Sequence, residues 1–499
     1  MRRAVLFFVH SELSVQYMPF AAGLRKQDID AVAIVQGELD RRTTEQTGVY
    51  TKVIDILQDF NPRRASAEYK EHLGELAVLE ARFDPPGRII CDAMMDRWVR
   101  QRRLSREWIV GYVSYCLGRL RALYSEFQPM ACVGETTTLL YRLAYRVAMP
   151  ATPYLFPSAL RYFDRVYFER DLDFLWPECR KKYRAFIADG VPDHLREPAA
   201  AAYERIVHLS EKPYYARASG GWRRGPEPIT KKLKLSRAQT NLDYWRFEIL
   251  HDGYRSPRTV PFQQYFPHEK LSRLVKGVLR KAAFDRRASK DLPDTPFVTY
   301  FLHFQPEYTM DSQGFRFLDQ TELVRNIAAA LPIDVPLVVK EQPFMVGVRP
   351  ASYYDKLLTI PNVRLVTDTV DSHVLIQKSK IIFSIVGTAA MEAICYGTPA
   401  ILFGPISFNE FRGAELVEDL NELPARIDYR LRHGSDATPE DAIAMLAAEY
   451  ACSYPGKFRG VSVDPTALLQ DNQEELGLAL LNELEHLGAV KVPIASKRM

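Results

Sequence analysis

The chain has 499 residues, of which 47% are hydrophobic and 26% charged, and its formal net charge is +4. This length exceeds what one hydrophobic core usually supports and predicts two domains of about 150–250 residues. The composition is typical of a globular protein, and no segment has the roughly 18 uncharged apolar residues of a membrane-spanning helix. The net charge is too small to indicate a nucleic-acid partner.

The cysteines and the N-terminus indicate a cytoplasmic protein. The six cysteines are scattered without C-x-x-C or Cys/His clusters, so neither a structural zinc site nor a disulfide framework is predicted. Residues 1–13 join two arginines to a short apolar run, as signal peptides do, but the run meets His10 and Glu12 without an A-x-A-like cleavage site. A buried first strand over residues 4–9 is therefore predicted.

The first forty residues alternate as strand, loop, helix and strand. The loop 10–17 leaves the carboxyl end of the first strand, and in open parallel sheets that edge is where ligands bind. His10, Glu12 and Tyr17 are therefore candidates for a binding cleft. A hydrogen-bonded turn residue is the alternative interpretation of His10.

A second polar turn follows the strand predicted over residues 130–134. Glu135 stands directly after Gly134 at a strand-to-helix turn. It is either an acid favoured by the start of a helix or a general base that faces a cleft between the domains. Arg161, in the aromatic run that follows, is expected on a loop that re-enters the cleft, where it can bind a phosphate or carboxylate.

The middle of the chain is polar and predicted to be mostly helical, with a flexible joint over residues 220–228. Basic residues concentrate over 223–237 and again over 273–290. In the second stretch they alternate with apolar residues, the pattern of an amphipathic basic helix. A solvated helix face is one interpretation, and contact with an anionic membrane surface or a phosphorylated acceptor is the other.

From residue 297 onward, short apolar strands alternate with helices, which predicts a parallel, doubly wound sheet. Neither a G-x-G-x-x-G nor a G-x-x-x-x-G-K-[ST] motif follows any of these strands, which disfavours dinucleotide oxidoreductases and P-loop NTPases. D-x-D triplets occur at 28–30 and 171–173, outside this half. They are interpreted as surface turns, and no metal site is predicted.

Residues 381–404, IIFSIVGTAAMEAICYGTPAILFG, predict a strand, a small-residue turn, a helix and a second strand. Ser384, Gly387 and Thr388 place hydroxyls and backbone N–H groups at the start of that helix, where a phosphate is favoured. Glu392 falls on the same helix face one turn later and can accept hydrogen bonds from ribose hydroxyls. A capped crossover helix without a ligand is the alternative.

Two neighbouring strands of the same predicted sheet also end in polar residues. One stops at Gln305 and Glu307, and the other ends in Lys340 and Gln342. Because the carboxyl ends of parallel strands share one edge, these residues are expected beside the turn at 384–388 as part of a nucleotide-sugar site.

Several motifs of the second half occur in a fixed order, and they are LHFQPE at 302–307, VVKEQP at 338–343, R-P-x-x-Y-Y at 349–354 and SIVGTAAMEAICYGTPAILFG at 384–404. With the looser VGETTT at 133–138 and RVYFER at 165–170, the sequence resembles the capsule and surface polysaccharide biosynthesis family of bacterial glycosyltransferases. The resemblance implies an α/β, GT-B-like fold, in which two Rossmann-like domains face each other across a cleft. The donor then binds the C-terminal domain and the acceptor the N-terminal one.

The sequence departs from the family at one motif. The usual K-E-H-P is K-E-Q-P here, with Gln342 in place of the histidine. In similar transferases that use CMP-activated ulosonic acids, that histidine contacts the donor phosphate. Gln342 can donate a hydrogen bond but carries no positive charge, so Lys340 and the turn at 384–388 are expected to stabilise the phosphate.

The predicted function is a metal-independent, inverting transfer of a sugar from a nucleotide-sugar donor to a surface polysaccharide or lipid-linked acceptor. Glu135 is the first candidate for the base, before Glu12 and His10, with Glu307 as a further possibility from the donor side. No cofactor is expected. The alternatives are a sugar-nucleotide epimerase, a polyol-phosphate transferase, or a non-catalytic assembly protein.

Four segments are predicted along the chain. Residues 1–180 form the acceptor domain, 181–290 a helical insertion and linker, 291–475 the donor domain, and 476–499 a C-terminal helix and tail. Arg161 and Tyr17 are assigned to the acceptor side. The protein is expected in the cytoplasm, with peripheral contact to the inner membrane through its basic stretches.

Overall fold

The computed structural model describes residues 3–81, 88–96, 99, 103–135, 138–148, 151–212, 242, 246, 267–305, 307–459 and 464–489. The joint predicted at 220–228, the basic stretch at 223–237 and the tail after residue 489 lie outside these residues, as does the side chain of Glu12.

The first sheet is seven-stranded within the described residues and has the order β13-β6-β5-β4-β1-β2-β3. Its strands are β1 (Ala4–Phe8), β2 (Asp30–Val35), β3 (Lys52–Asp55), β4 (Ala131–Val133), β5 (Tyr154–Ala159), β6 (Arg165–Glu169) and β13 (Tyr454–Pro455). The strands β1 to β5 pair in parallel, and β6 and β13 close one edge in antiparallel pairing. The strands β1, β2 and β4 are almost entirely buried, as expected for a sheet covered on both faces.

The helices of the first half pack around this sheet, and they are α1 (Ser11–Gln16), α2 (Met18–Arg25), α3 (Glu38–Gln46), α4 (Pro62–Ala67), α5 (Tyr69–Glu80), α6 (Arg88–Met95), α7 (Arg106–Phe127) and α8 (Leu139–Ala148). The sequence sets both ends of the long helix α7. Ser105 accepts a hydrogen bond from the N–H of Trp108, and Gln128 ends the helix in the left-handed conformation.

The second sheet is parallel throughout, with the order β12-β11-β10-β7-β8-β9. Its strands are β7 (Val298–Phe301), β8 (Leu337–Lys340), β9 (Val363–Val366), β10 (Ile382–Ser384), β11 (Ala400–Leu402) and β12 (Ala414–Leu416). The other helices are α9 (Pro177–Asp189), α10 (Asp193–Val207), α11 (Pro267–Asp285), α12 (Tyr308–Ser312), α13 (Gln320–Ala330), α14 (Ala351–Leu358), α15 (Ser372–Lys378), α16 (Thr388–Cys395), α17 (Leu423–His433), α18 (Pro439–Ala451) and α19 (Gln470–His486). The predicted α/β class with two Rossmann-like sheets is confirmed.

Each sheet has its own hydrophobic core, and the chain crosses between the two cores. Helices α9 and α10 contribute Tyr183 and Ile206 to the core of the second sheet, whereas α19 contributes Leu480 to the first. Helices α2 and α19 meet at Gly23 and Gly477, where a Cβ on Gly23 would lie 2.6 Å from the Gly477 Cα. The boundaries predicted after residues 180 and 475 therefore fall inside helices α9 and α19.

None of the described helices combines the length and the apolar composition needed to cross a membrane.

Candidate functional site

The carboxyl edges of the two sheets meet at a small set of contacts. Tyr162 follows the carboxyl end of β5, and its hydroxyl donates a 2.9 Å hydrogen bond to Glu392 on α16, the helix that starts after β10. Arg161 places Nη1 3.9 Å from the sulfur of Met391, and its guanidinium lies 5.6 Å from the ring of Phe408, which follows β11. The carboxyl edges of the two sheets therefore face each other at these contacts.

On the first sheet the structure brings His10 and Glu135 together. His10 precedes α1, Glu135 follows β4, and His10 Nε2 lies 3.0 Å from Glu135 Oε1. Their side chains are 20% and 23% exposed, so both still reach solvent. The His10 ring stacks on Tyr141, with 6.4 Å between the ring centres and 8° between the planes.

This pair can accept a proton from a hydroxyl. The imidazole nitrogen and the carboxylate oxygen lie within hydrogen-bonding distance, and a side chain of either type can act as a general base. The glycine before Glu135 keeps the turn close to the core, because a Cβ on Gly134 would lie 2.3 Å from the hydroxyl oxygen of Tyr154. The backbone just before Glu135 therefore packs directly against the side chain of Tyr154.

On the second sheet, the turn between β10 and α16 is stabilised from within. The N–H of Val386 donates to His303 Nε2 at 3.2 Å, and the N–H of Gly387 donates to Ser384 Oγ at 2.9 Å. Burial, with a smaller effect of the Arg349 charge, lowers the pKa of His303 to about 4, so its ring is neutral at pH 7 and Nε2 can accept. Ser384 is fully buried, so its hydroxyl serves the turn and not a ligand.

The part of this turn that reaches solvent is the start of α16. Gly387, Thr388 and Ala389 are partly exposed, whereas Ser384 to Val386 are buried. A side chain at Gly387 would clash, because a Cβ there would lie 2.6 Å from Ser384 Oγ and 3.1 Å from His303 Nε2. The positive end of the helix dipole is thus the feature that this turn presents to solvent.

Lys340 does not reach the expected position. The residue is 4% exposed, and its ammonium donates to the carbonyls of Asp368 at 3.1 Å and Val370 at 2.6 Å. Burial lowers the pKa of its ammonium to about 8. The expected role of Lys340 at a donor phosphate does not fit this position, because its hydrogen bonds hold the loop after β9.

Arg349 joins the ends of β7 and β8. Its Nη2 donates to the carbonyl of His303 at 2.6 Å, and its Nε lies 3.0 Å from Glu341 Oε2. Gln305 accepts from Arg349 at 3.3 Å and from Gln320 at 2.8 Å. Both partners of the Arg349–Glu341 pair are at most 5% exposed, and burial raises the pKa of Glu341 while Arg349 opposes that rise. Gln305 therefore belongs to a structural network.

The other residues predicted on the donor side lie close to the same edge. Glu307 precedes α12 and accepts a hydrogen bond from the hydroxyl of Thr309. Gln342 is partly exposed at the end of β8, and its backbone N–H donates to Glu341 Oε1 at 2.8 Å. Gln342, which follows β8, therefore reaches solvent, whereas Lys340 at the end of β8 is buried.

Two further predicted residues are buried. Tyr17 is 1% exposed and packs against the rings of Phe20 and Phe458, so its place is in the first core and not on the acceptor side. Glu392 is 6% exposed and binds Tyr162, so its carboxylate joins the two halves where ribose binding was expected. Burial raises the pKa of Glu392 to about 7, and the Tyr162 hydroxyl opposes that rise.

The described residues contain no group of three or more His, Cys, Asp or Glu side chains arranged to hold a metal ion. The D-x-D triplet at 171–173 forms a turn, in which Asp171 accepts a 2.9 Å hydrogen bond from the N–H of Asp173.

No protein-family model matches the sequence, and no curated protein matches it. Several solved structures are similar in fold. The beta Kdo 2,4 transferase KpsC of Thermosulfurimonas dismutans is 12% identical over 64% of this chain and 79% of that chain, with a TM-score of 0.36. The UDP-GlcNAc 2-epimerase of Neisseria meningitidis, bound to UDP-GlcNAc, is 12% identical over 98% of this chain and 100% of that chain, with a TM-score of 0.26. HepE of Anabaena, in complex with UDP-glucose, is 11% identical over 97% of this chain and 99% of that chain, with a TM-score of 0.26.

Three residues of this site were not singled out from the sequence. His303 and Arg349 lie inside the LHFQPE and R-P-x-x-Y-Y motifs, and Tyr162 lies in the aromatic run after β5. A histidine or arginine embedded in an apolar motif is a signal for a buried polar network, because such a group must find partners when it is buried.

Proposed function

We propose that the protein is a glycosyltransferase that moves a sugar from a nucleotide-sugar donor to a glycan or lipid-linked acceptor of a surface polysaccharide. The observation that carries this proposal is the pair His10–Glu135 on one carboxyl edge, together with the partly exposed start of α16 on the other edge. Glycosyl transfer requires a base for the acceptor hydroxyl and stabilisation of the departing phosphate. In this proposal the His10–Glu135 pair is the base, and the start of α16 stabilises the departing phosphate.

The donor phosphate is proposed to bind at the start of α16. Thr388 supplies a hydroxyl and a backbone N–H there, next to the positive end of the helix dipole. The amide of Gln342 at the end of β8 can donate one more hydrogen bond. Lys340 is left out of this role because backbone carbonyls hold its ammonium. Phosphate stabilisation therefore relies on dipoles and neutral donors.

The acceptor is proposed to bind on the first sheet, near Arg161. Its hydroxyl oxygen attacks the anomeric carbon, and the bond from that carbon to the donor phosphate breaks. The hydroxyl proton passes to the His10–Glu135 pair, and the nucleotide leaves with the bonding electrons. A single displacement of this kind inverts the anomeric configuration and needs no metal ion. The resemblance to transferases of CMP-activated ulosonic acids makes CMP donors the first to test.

Titration calorimetry of the full chain against CMP, UDP, GDP and dTDP tests the donor site. We expect one nucleotide to bind, and we expect Thr388→Val to weaken that binding by about 10- to 100-fold, since a hydrogen bond to a charged group contributes about 1.5–3 kcal/mol. Ser384→Ala is the matched comparison. It removes the acceptor of the Gly387 N–H and should lower stability more than affinity.

Product analysis then separates the candidate activities. Transfer to an added acceptor supports the glycosyltransferase. Release of an epimerised sugar nucleotide, or use of a CDP-polyol donor, would support the epimerase or the polyol-phosphate transferase instead. Failure of every nucleotide to bind a folded protein would contradict all three enzymes and leave a non-catalytic assembly protein.

A further inference from the structure

Helix α11 has one apolar side packed against the protein. Phe284 is fully buried and Ala283 is 8% exposed. Gly277 lies against Gly347, and a Cβ on Gly347 would come within 2.9 Å of the Gly277 carbonyl oxygen. Arg280 donates a 2.6 Å hydrogen bond to the carbonyl of Val348. The helix is therefore attached to the loop that follows the end of β8.

The opposite side of α11 is also apolar, and it is exposed. Leu271, Val275, Val278 and Leu279 are 61%, 49%, 52% and 62% exposed. Their spacing places them in one stripe along the helix. Val275 precedes Phe284 by about two and a half turns, so the stripe lies opposite the buried face. An ordinary surface helix carries polar residues on its outer side, so this stripe is suited to an apolar environment.

Positive charges border this stripe. Lys276 lies one turn before Leu279 within α11. Arg286 directly follows the helix, and its Nε donates a 3.2 Å hydrogen bond to the carbonyl of Ala282 in the last turn. Both residues are exposed. Two other cations of this segment have acidic partners, since Lys281 pairs with Asp285 and Arg287 with Asp355. The exposed side thus combines apolar side chains with positive charge.

We propose that α11 binds an anionic membrane surface, with Leu271, Val275, Val278 and Leu279 in the boundary between headgroups and acyl chains. Lys276 and Arg286 then face the lipid phosphates. Interfacial helices combine an apolar face with Lys and Arg in this way, and each cation adds about fivefold to the affinity for anionic lipid. The observation that favours a membrane is the charge, because a second copy of the chain would present the same cations.

The location of α11 gives this contact a role. The helix packs on the loop at 347–348, and the same loop carries Gln342 and the 47% exposed Phe344. Membrane binding would therefore hold the donor edge of the cleft near lipid. This role rests on the proposed function, since a lipid-linked acceptor would be presented at that surface.

Sedimentation of the full chain with lipid vesicles tests the inference. One vesicle contains phosphatidylcholine alone, and the other also contains phosphatidylglycerol. We expect binding to the anionic vesicle at low salt. At high salt binding should weaken strongly, because the Debye length falls from about 10 Å at 0.1 M to about 3 Å at 1 M.

Three variants make the test specific. Leu271→Gln combined with Val275→Gln and Leu279→Gln should reduce vesicle affinity at least about tenfold, because it removes the apolar stripe. Lys276→Gln with Arg286→Gln should reduce it by about 5- to 25-fold for the anionic vesicle only. Ile333→Gln with Leu469→Gln is the matched control, since these residues are 92% and 62% exposed on other elements. It should bind like the unmodified protein.

Absence of vesicle binding by the unmodified protein at low salt would overturn the inference, as would equal binding by the stripe variant. A doubled solution mass that the stripe variant abolishes would also overturn it in favour of self-association. Nucleotide affinity is measured on the same samples. Vesicle binding without any nucleotide binding would leave α11 as a membrane helix and contradict the proposed function alone.

Discussion

The carboxyl edges of the two sheets both carry polar side chains, but they use them differently. On the first sheet, His10 and Glu135 bind each other and remain about one-fifth exposed. On the second, Ser384 and Lys340 are buried and their hydrogen bonds go to the protein's own backbone. The first edge has an accessible pair of ionisable side chains, whereas the second has an internally hydrogen-bonded turn whose helix start is the accessible part.

Burial explains this difference. An unsatisfied buried donor costs about 1–3 kcal/mol, so a buried serine, lysine or arginine must find partners inside the protein. On the second sheet, Arg349 and His303 provide a network that satisfies several strand ends at once. Pre-formed turns of this kind bind a ligand without paying for reorganisation. The comparison predicts that substitutions of the exposed pair at the first edge change turnover, and that substitutions of the buried polar residues at the second edge change stability.

The largest effect is expected from Glu135→Gln. The amide keeps the shape of the side chain but cannot accept a proton, so transfer should fall by about 10²–10⁴-fold while nucleotide affinity stays the same. Steady-state kinetics and calorimetry on the same preparation measure both quantities. Glu75→Gln, on an exposed glutamate of the same half, is the control and should be fully active. Near-normal turnover of Glu135→Gln would move the base to His10, Glu12 or Glu307.

A smaller effect, on stability, is expected from Arg349→Met. The change leaves Glu341 buried without its cation, which typically costs about 3–5 kcal/mol in the free energy of unfolding. Urea denaturation measures this loss. Adding Glu341→Gln should restore part of it, because the unpaired charge is removed. Arg325→Met breaks an exposed ion pair with Glu322 and should change stability by less than about 1 kcal/mol. Similar losses for both arginines would contradict the network at the second edge.

The smallest expected effect is a change in the pH dependence of stability, caused by Glu392 at the contact between the two edges. The pKa of Glu392 is raised from 4.5 to about 7, so the folded protein keeps this proton between those values while the unfolded chain has lost it. Stability therefore falls as pH rises through this window, by at most about 1.4 kcal/mol per pH unit from this group. Glu392→Gln should remove that contribution.

Denaturation curves of the unmodified protein and Glu392→Gln, recorded from pH 4.5 to 7, give the difference directly. Glu440→Gln, an exposed glutamate on α18, is the control and should leave the slope unchanged. Parallel curves for the unmodified protein and Glu392→Gln would show that the carboxyl at the Tyr162 contact is ionised throughout.

The local pattern of the sequence was enough to predict the elements that hold the site. The first strand was predicted over 4–9 and is β1, Ala4–Phe8. The turn at 384–388 was predicted between a strand and a helix, and β10 ends at Ser384 while α16 begins at Thr388. These features depend on residues close together in the chain, where hydrophobic period, glycines and helix formers act directly.

The direction of each polar side chain was decided by the tertiary structure. Lys340 turns inward because carbonyls 28 and 30 residues further along surround its ammonium. Glu392 meets Tyr162 across 230 residues of sequence, and Glu135 meets His10 across 125. The sequence by itself determined the strands, the turns and the sheet edge on which the polar residues lie. Which of them face a ligand depended on distant partners, because a buried polar group is satisfied by whatever the fold brings next to it.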